Sequence, residues 1–279
     1  MALQGSGQIS LANIQTEFGG SSPISLSEYY RNGAYVTSNN TGVPTSGAIS
    51  LNQFYSATAQ FSFAISSNYS TPQNLATLAT AAGWDGNDYL VVTNNAIISS
   101  NTTGSAALTV SGSFPNGVLL INNGTIVGMG GRGGNAGANG NAGGNALLVS
   151  SALSINNAGT LAGGGGGGGS SPVFGWCGTV LTTAGGGGAS GLTQSLGGTA
   201  GSYAGPGKPS TLSGSLYSVR GGSDQAGACG VVNSPSGAGG TWGNAGANGG
   251  FTGGAGGASV SGNSNVTWVA TGTRYGALV

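Results

Sequence analysis

Where glycine falls constrains this chain more than any other feature. Of its 61 glycines, 13 lie in residues 1–125 and 48 in residues 126–279. A segment so rich in glycine cannot build a core from side chains. Glycine has none to bury, and it loses more backbone freedom on ordering than any other residue. Such a segment is either a slack linker or a set of main chains packed directly on one another. The linker reading fails on detail. The heptapeptide Gly-Asn-Ala-Gly-Ala-Asn-Gly occurs at 134–140 and again at 243–249, and Phe174, Trp176, Trp242 and Phe251 stand between the glycine tracts. Extended chains with three residues per turn make no internal hydrogen bonds. When the residues facing a neighbour are glycine, such chains can approach until N–H and C=O pair between them. The tracts keep no strict triplet, which excludes collagen. An ordered glycine lattice is therefore expected over 126–279, held by near-complete backbone pairing and all-or-none in stability.

Such a lattice needs a scaffold to start from. Three segments share one pattern, an apolar stretch, an Asn-Asn corner and a second apolar stretch. The corners are Asn94-Asn95, Asn122-Asn123 and Asn156-Asn157. Asn tolerates positive φ and bonds its own backbone, so Asn pairs suit tight corners. The pattern predicts stacked rungs of a β-helix or β-prism. Before them, Gln60–Ile65 alternates as a strand does, and Thr71-Pro72 with Leu75, Leu78, Ala79 and Ala82 predicts a helix capped near Thr71, with Pro72 in its first turn and Gly83 as its stop.

Residues 1–58 carry a third pattern. Ile-Ser-Leu occurs at 9–11, 24–26 and 49–51, each time leading into a short amphipathic piece. Each Ser is placed as an N-cap. Helices of one or two turns are not stable alone. They must bury Leu11, Ile14, Phe18, Leu26, Tyr29, Tyr30, Leu51, Phe54 and Tyr55 against each other or against a partner. These residues define a docking module. The expected division is 1–58 for docking, 59–125 for a β-rich transition with one helix, and 126–279 for the glycine-rich body.

Composition removes whole classes of chemistry. The chain has no His, and its ten charged residues balance to zero. Histidine acid–base catalysis and His-containing zinc sites are excluded, as is the basic footprint that nucleic acid requires. No apolar stretch reaches membrane-spanning length. The opening residues carry no basic or apolar leader, so no signal peptide is expected. Cys177 and Cys229 could form one bridge; two buried free thiols are the expected state. Glycoside cleavage needs two carboxylates flanking one bond. The acids are Glu17, Glu28, Asp85, Asp88 and Asp224: the first two fall in the docking pieces, Asp85-Gly86-Asn87-Asp88 reads as a turn, and Asp224 stands alone. Gly128-Met129-Gly130-Gly131-Arg132-Gly133 fits a dinucleotide loop on paper, but no helix or acid follows it at the required spacing. The chain is read as a non-enzyme with no cofactor and no metal.

Taken together, these residues resemble a known group. The segments Ile9–Gly20, Pro23–Tyr30 and Pro44–Tyr55 resemble a module common in tail proteins of tailed bacteriophages. Gly112–Ile126, the glycine tracts and Val266–Gly276 are similar to glycine-rich tail-fibre and tail-tip adhesins, including the tip adhesins of T-even-type phages. The resemblance implies a mainly β fold: a short helical docking module, β-helix-like rungs, and a polyglycine-II-type sandwich with loops. It implies a virion tail location after synthesis in the host cytoplasm, other tail-fibre or baseplate proteins as partners, and a host surface glycan or outer-membrane protein as receptor. A homotrimer is expected, with no membrane insertion and no nucleic acid. The candidate receptor-binding residues are Phe174, Trp176, Tyr203, Lys208, Tyr217, Arg220, Trp242 and Phe251. For the aromatics, capping the lattice or filling a trimer axis is the competing role. A purely structural tail component and a glycine-rich ice-binding protein are the alternatives.

Overall fold

A computed structural model describes residues 2–135, 137–170 and 236–279. The N-terminal module has one α-helix, α1 (Leu11–Phe18), and two single 3₁₀ turns at Leu26–Tyr29 and Leu51–Phe54. Ser10, Ser25 and Ser50 each sit in extended backbone before these pieces and form reciprocal capping boxes with Asn13, Glu28 and Gln53.

Beyond the module the chain winds. The first turn carries β1 (Gln60–Ile65) and β2 (Gln73–Asn74), followed by α2 (Leu75–Ala81). The second carries β3 (Tyr89–Asn94), β4 (Ile97–Ser99) and β5 (Leu108–Val110). The third carries β6 (Val118–Asn122), β7 (Thr125–Val127) and β8 (Leu147–Val149). The fourth carries β9 (Leu153–Asn157), β10 (Thr160–Ala162) and β11 (Val260–Ser261), and the last β12 (Val266–Ala270) and β13 (Thr273–Tyr275). Strands from successive turns pair in parallel, giving sheets ordered β1-β3-β6-β9-β12, β4-β7-β10-β13 and β2-β5-β8-β11.

Alternation along each strand fills the interior. Leu90, Val92, Leu120, Ile155, Ile98, Ile126, Leu161, Leu108, Leu147 and Val260 are fully buried in one cluster. At the corner between the first two sheets, Asn94, Asn122 and Asn157 stack inside. Asn94 Nδ2 donates to Asn122 Oδ1 at 2.8 Å, and Asn122 Nδ2 donates to Asn157 Oδ1 at 2.7 Å. The third corner thus uses the second Asn of its pair, one residue later than the sequence pattern aligns it. The helix also starts later than expected. Asn74 caps α2 by accepting from Thr77 N, and Pro72 lies ahead of β2.

The glycine tracts leave the winding between its second and third sheets, so they are interleaved with it in sequence; the composition boundary near residue 125 falls within β7. Residues 161–170 are all buried. Backbone N–H groups reach this tract from its neighbours every third residue. Gly128, Gly131 and Gly134 donate to Ala162, Gly165 and Gly168; Gly243, Gly240 and Gly237 donate to Gly163, Gly166 and Gly169; Gly257 and Gly254 donate to Gly164 and Gly167. In return Gly164, Gly167 and Ser170 donate to Gly144, Asn141 and Ala138. The unbroken run Gly163–Gly169 follows from this geometry. A Cβ at Gly163, Gly166 or Gly169 would overlap the carbonyls of Gly257, Gly254 and Phe251. At Gly164 and Gly167 it would overlap those of Met129 and Arg132, and at Gly165 and Gly168 those of Gly240 and Gly237. Every position faces some neighbour's main chain. On a perimeter tract only some positions do, and Asn139 and Ala142 are exposed there.

Candidate functional site

Two regions carry candidate functional residues, the N-terminal module and the glycine-rich body. In the module, the residue three after each Ile-Ser-Leu leucine is Ile14, Tyr29 or Phe54, and all three are fully buried. The next residue closes a ring. Gln15 Nε2 donates to Gly20 O at 3.1 Å and Ser22 Oγ at 3.4 Å, Tyr30 donates to Gly47 O, and Tyr55 donates to Gly7 O. Ser22, Gly47 and Gly7 each lie two residues before an Ile-Ser-Leu. The first repeat therefore reaches the entry of the second, the second that of the third, and the third that of the first. The three repeats thus close head to tail into a ring. This ring was missed in the sequence, although the shared offset of Gln15, Tyr30 and Tyr55 from their leucines was the signal for it.

The closure shows how the expected docking residues pack within the module. Ile14, Phe18, Tyr29 and Phe54 form the module's own core, with Phe18 and Phe54 edge to face at 6.4 Å. Leu11, Leu26, Leu51 and Tyr55 pack half-buried against that core, and Tyr30 is half-buried. Short helices cannot keep their apolar faces free; they are stable because they spend them on each other.

The module is clasped to the winding by polar groups. Thr37 Oγ1 donates to Asp88 Oδ1 at 2.6 Å, and Asn39 Nδ2 donates to Asp88 Oδ2. Asn40 exchanges bonds with the main chain of Thr58, and Glu17 Oε1 accepts from Thr58 Oγ1 and Ala59 N. Asp85-Gly86-Asn87-Asp88 does turn, with Asp85 Oδ1 accepting from Asn87 N. Asp88 does more than that: its residue is 2% exposed. Burial raises the Asp88 pKa above the usual carboxylate value, the bonds from Thr37 and Asn39 oppose the rise, and the charge of Asp85 adds to it. A carboxyl whose pKa is higher folded than unfolded binds its proton more tightly when folded. Stability should therefore fall as pH rises from the unfolded pKa to the folded one, and level off above it. Thermal melts between the acid range and neutrality should show that decline, and Asp88→Asn should remove it. An unchanged slope would assign the dependence to another group.

In the glycine body, Phe174, Trp176, Tyr203, Lys208, Tyr217 and Arg220 lie outside the described residues. Trp242 is 8% exposed and packs on Val127, Ala162 and Tyr275, its ring 5.7 Å from that of Tyr275. Its side chain seats the tracts on the second sheet. Val127, Ala162 and Tyr275 end three paired strands in register and offer it a flat apolar platform. Phe251 is half-buried; its N–H donates to Ser170 O and its carbonyl accepts from Gly249 N. Among the described residues no cluster of His, Cys, Asp or Glu could hold a metal.

A sequence model of the family described as phage tail fibre adhesin Gp38 matches residues 59–279. A search of curated proteins found no match. Among solved structures, the chain is similar to the crystal structure of the gp37-gp38 adhesin tip complex of the bacteriophage S16 long tail fibre. The identity is 27%, the TM-score 0.59, and the match covers 84% of this chain and 88% of that one.

Proposed function

The chain belongs to the phage tail fibre adhesin Gp38 family, and we propose that it fastens to the fibre through residues 1–58 and holds a host receptor with loops of its glycine-rich body. It is a virion tail protein and a binding protein, not an enzyme. The observation that carries the proposal is where the family match begins. The family model begins at residue 59, just past the ring that Tyr55 closes, which supports a separate attachment segment ahead of the adhesin. A module of three like repeats closed into a ring is suited to a threefold partner, because each repeat can meet an equivalent surface. The similar S16 protein was solved in complex with another tail-fibre protein, which supports a fibre partner here.

The body serves the loops. Its backbone bonding every third residue supports a polyglycine-II-type lattice, and the parallel winding beneath it supports a β-helix-like pedestal. Stems fixed this way lower the cost of ordering a loop on binding. The segments 171–182, 202–219 and 223–236, with Phe174, Trp176, Tyr203, Lys208, Tyr217 and Arg220, are the proposed contacts to a surface glycan or outer-membrane protein. Many fibres per virion would multiply weak single contacts. A homotrimer of this chain is the alternative to a threefold partner, and the mass of the purified chain in solution separates the two.

The test is competition at the cell surface. Purified full-length protein should bind host cells and slow adsorption of the phage, and replacing 202–219 should abolish both effects. Full-length protein that neither binds nor competes would leave a purely structural tail component.

A further inference from the structure

A small groove among the described residues is suited to a ligand. We propose that it is a subsite for a neutral sugar ring. The groove has a volume of about 190 Å³ and lies between the loop 103–106, the outer face of the third sheet and the first residues after a glycine tract. Its floor is built by register. Thr109 and Leu148 are paired neighbours on β5 and β8, and both point outward because Leu108, Val110, Leu147 and Val149 point inward. Ala106, only 6% exposed, lines the groove beside them.

The polar groups around the patch are held and left open. Asn145 Oδ1 accepts from Ala258 N at 2.9 Å, which fixes the amide and leaves Nδ2 as a donor with no bond among the described residues. Ser100 Oγ donates to Thr102 O and Ser105 O and accepts from Thr102 N, while Thr102 Oγ1 accepts from Gly104 N. These bonds hold the start of the loop in place. The hydroxyls of Thr103, Ser105 and Thr109 make no bond among the described residues.

The ligand class follows from the lining. No charged residue and no aromatic ring lines the groove, so neither an ion nor a stacked base is matched. A pyranose presents an apolar C–H face and an edge of hydroxyls, which suits Leu148 and Ala106 on one side and three hydroxyls and an amide on the other. An open site of this size should bind a single sugar at about millimolar strength, a level that matters only when many copies engage together.

The full chain, isotopically labelled, would be titrated with neutral methyl pyranosides of glucose, galactose and N-acetylglucosamine. At least one should shift the amide signals of 103–109 and 145–148, saturating at about millimolar concentration. Thr109→Val keeps the strand's branched shape and removes one hydroxyl, and it should weaken binding roughly fivefold to tenfold with an unchanged melting curve. No shift with any of the sugars, shifts confined to other residues, or binding indifferent to Thr109→Val combined with Thr103→Val would overturn the assignment. Because free sugars are used, failure here leaves the loop-borne receptor contacts untouched, and those are tested on cells.

Discussion

Gly166→Ala will collapse the glycine-rich body. The added methyl would overlap the carbonyl of Gly254, and neither main chain can yield. Gly166 N donates to Asn244 O, Gly166 O accepts from Gly240 N, and Gly254 N donates to Gly167 O. Side chains in an ordinary core relieve an extra methyl by changing rotamer, at typically 1–3 kcal/mol. Here only backbone surrounds the site, so relief means parting tracts and breaking bonds that recur every third residue. The expected cost is more than about 4 kcal/mol, in the range reserved for severe lesions. Gly104→Ala is the control: its methyl would meet only Thr102 Oγ1, at 3.7 Å, and should change stability by less than about 0.5 kcal/mol. Calorimetry of the two variants beside the parent decides the matter. A Gly166→Ala protein that melts with the parent would mean that the tracts are slack.

The second large effect lies in the winding. Asn122 is fully buried and bonded on both sides, accepting from Asn94 and donating to Asn157. Its Nδ2 also reaches Thr160 O at 3.3 Å. Asn122→Ala strands an amide donor on Asn94 and an acceptor on Asn157, both 1% exposed or less. Leaving buried groups unpaired costs more than the bonds themselves contribute, about 1–3 kcal/mol each. The variant should lose about 2–5 kcal/mol and melt about 5–15 °C lower. Asn123 bonds Asn95 at 3.0 Å on the exposed side of the same corner, and Asn123→Ala should cost less than about 0.5 kcal/mol. Equal losses in the two variants would show that the inner stack contributes nothing specific.

Both effects rest on features that the sequence displays to different degrees. The seven-glycine run from 163 to 169 is legible as close main-chain contact, since no other residue type fits on all sides of a tract. The Asn-Asn corners are legible as corners because Asn is chemically suited to them. Their register is not. Asn156 and Asn157 look alike in a pattern, and only pairing with Asn122 selects Asn157. The start of α2 was misplaced for a similar reason. Thr71 and Pro72 carry the usual signals, but the segment 73–74 is claimed by pairing with β5, and Asn74 becomes the cap.

The candidate sites divide the same way. Repetition of Ile-Ser-Leu marks three equivalent pieces, and their small size requires them to be buried. Whether they bury on a partner or on each other depends on chain closure, which brings Tyr55 to Gly7 across 48 residues. Asp88 reads locally as half of a turn; its clasp to Thr37 spans 51 residues and leaves no local trace. Trp242 reads as a ring among glycines, and only the register of β7, β10 and β13 supplies the platform that buries it.

The sequence by itself determined what kinds of contact this protein can make: main chain on main chain where glycine is continuous, and side-chain layers where apolar residues alternate. Those outcomes follow from the size and polarity of single residues and need no knowledge of neighbours. The tertiary structure alone decided which copies of each pattern meet, because register, ring closure and the seating of the tracts on the winding depend on residues tens of positions apart, and nothing in a local stretch of chain encodes that distance.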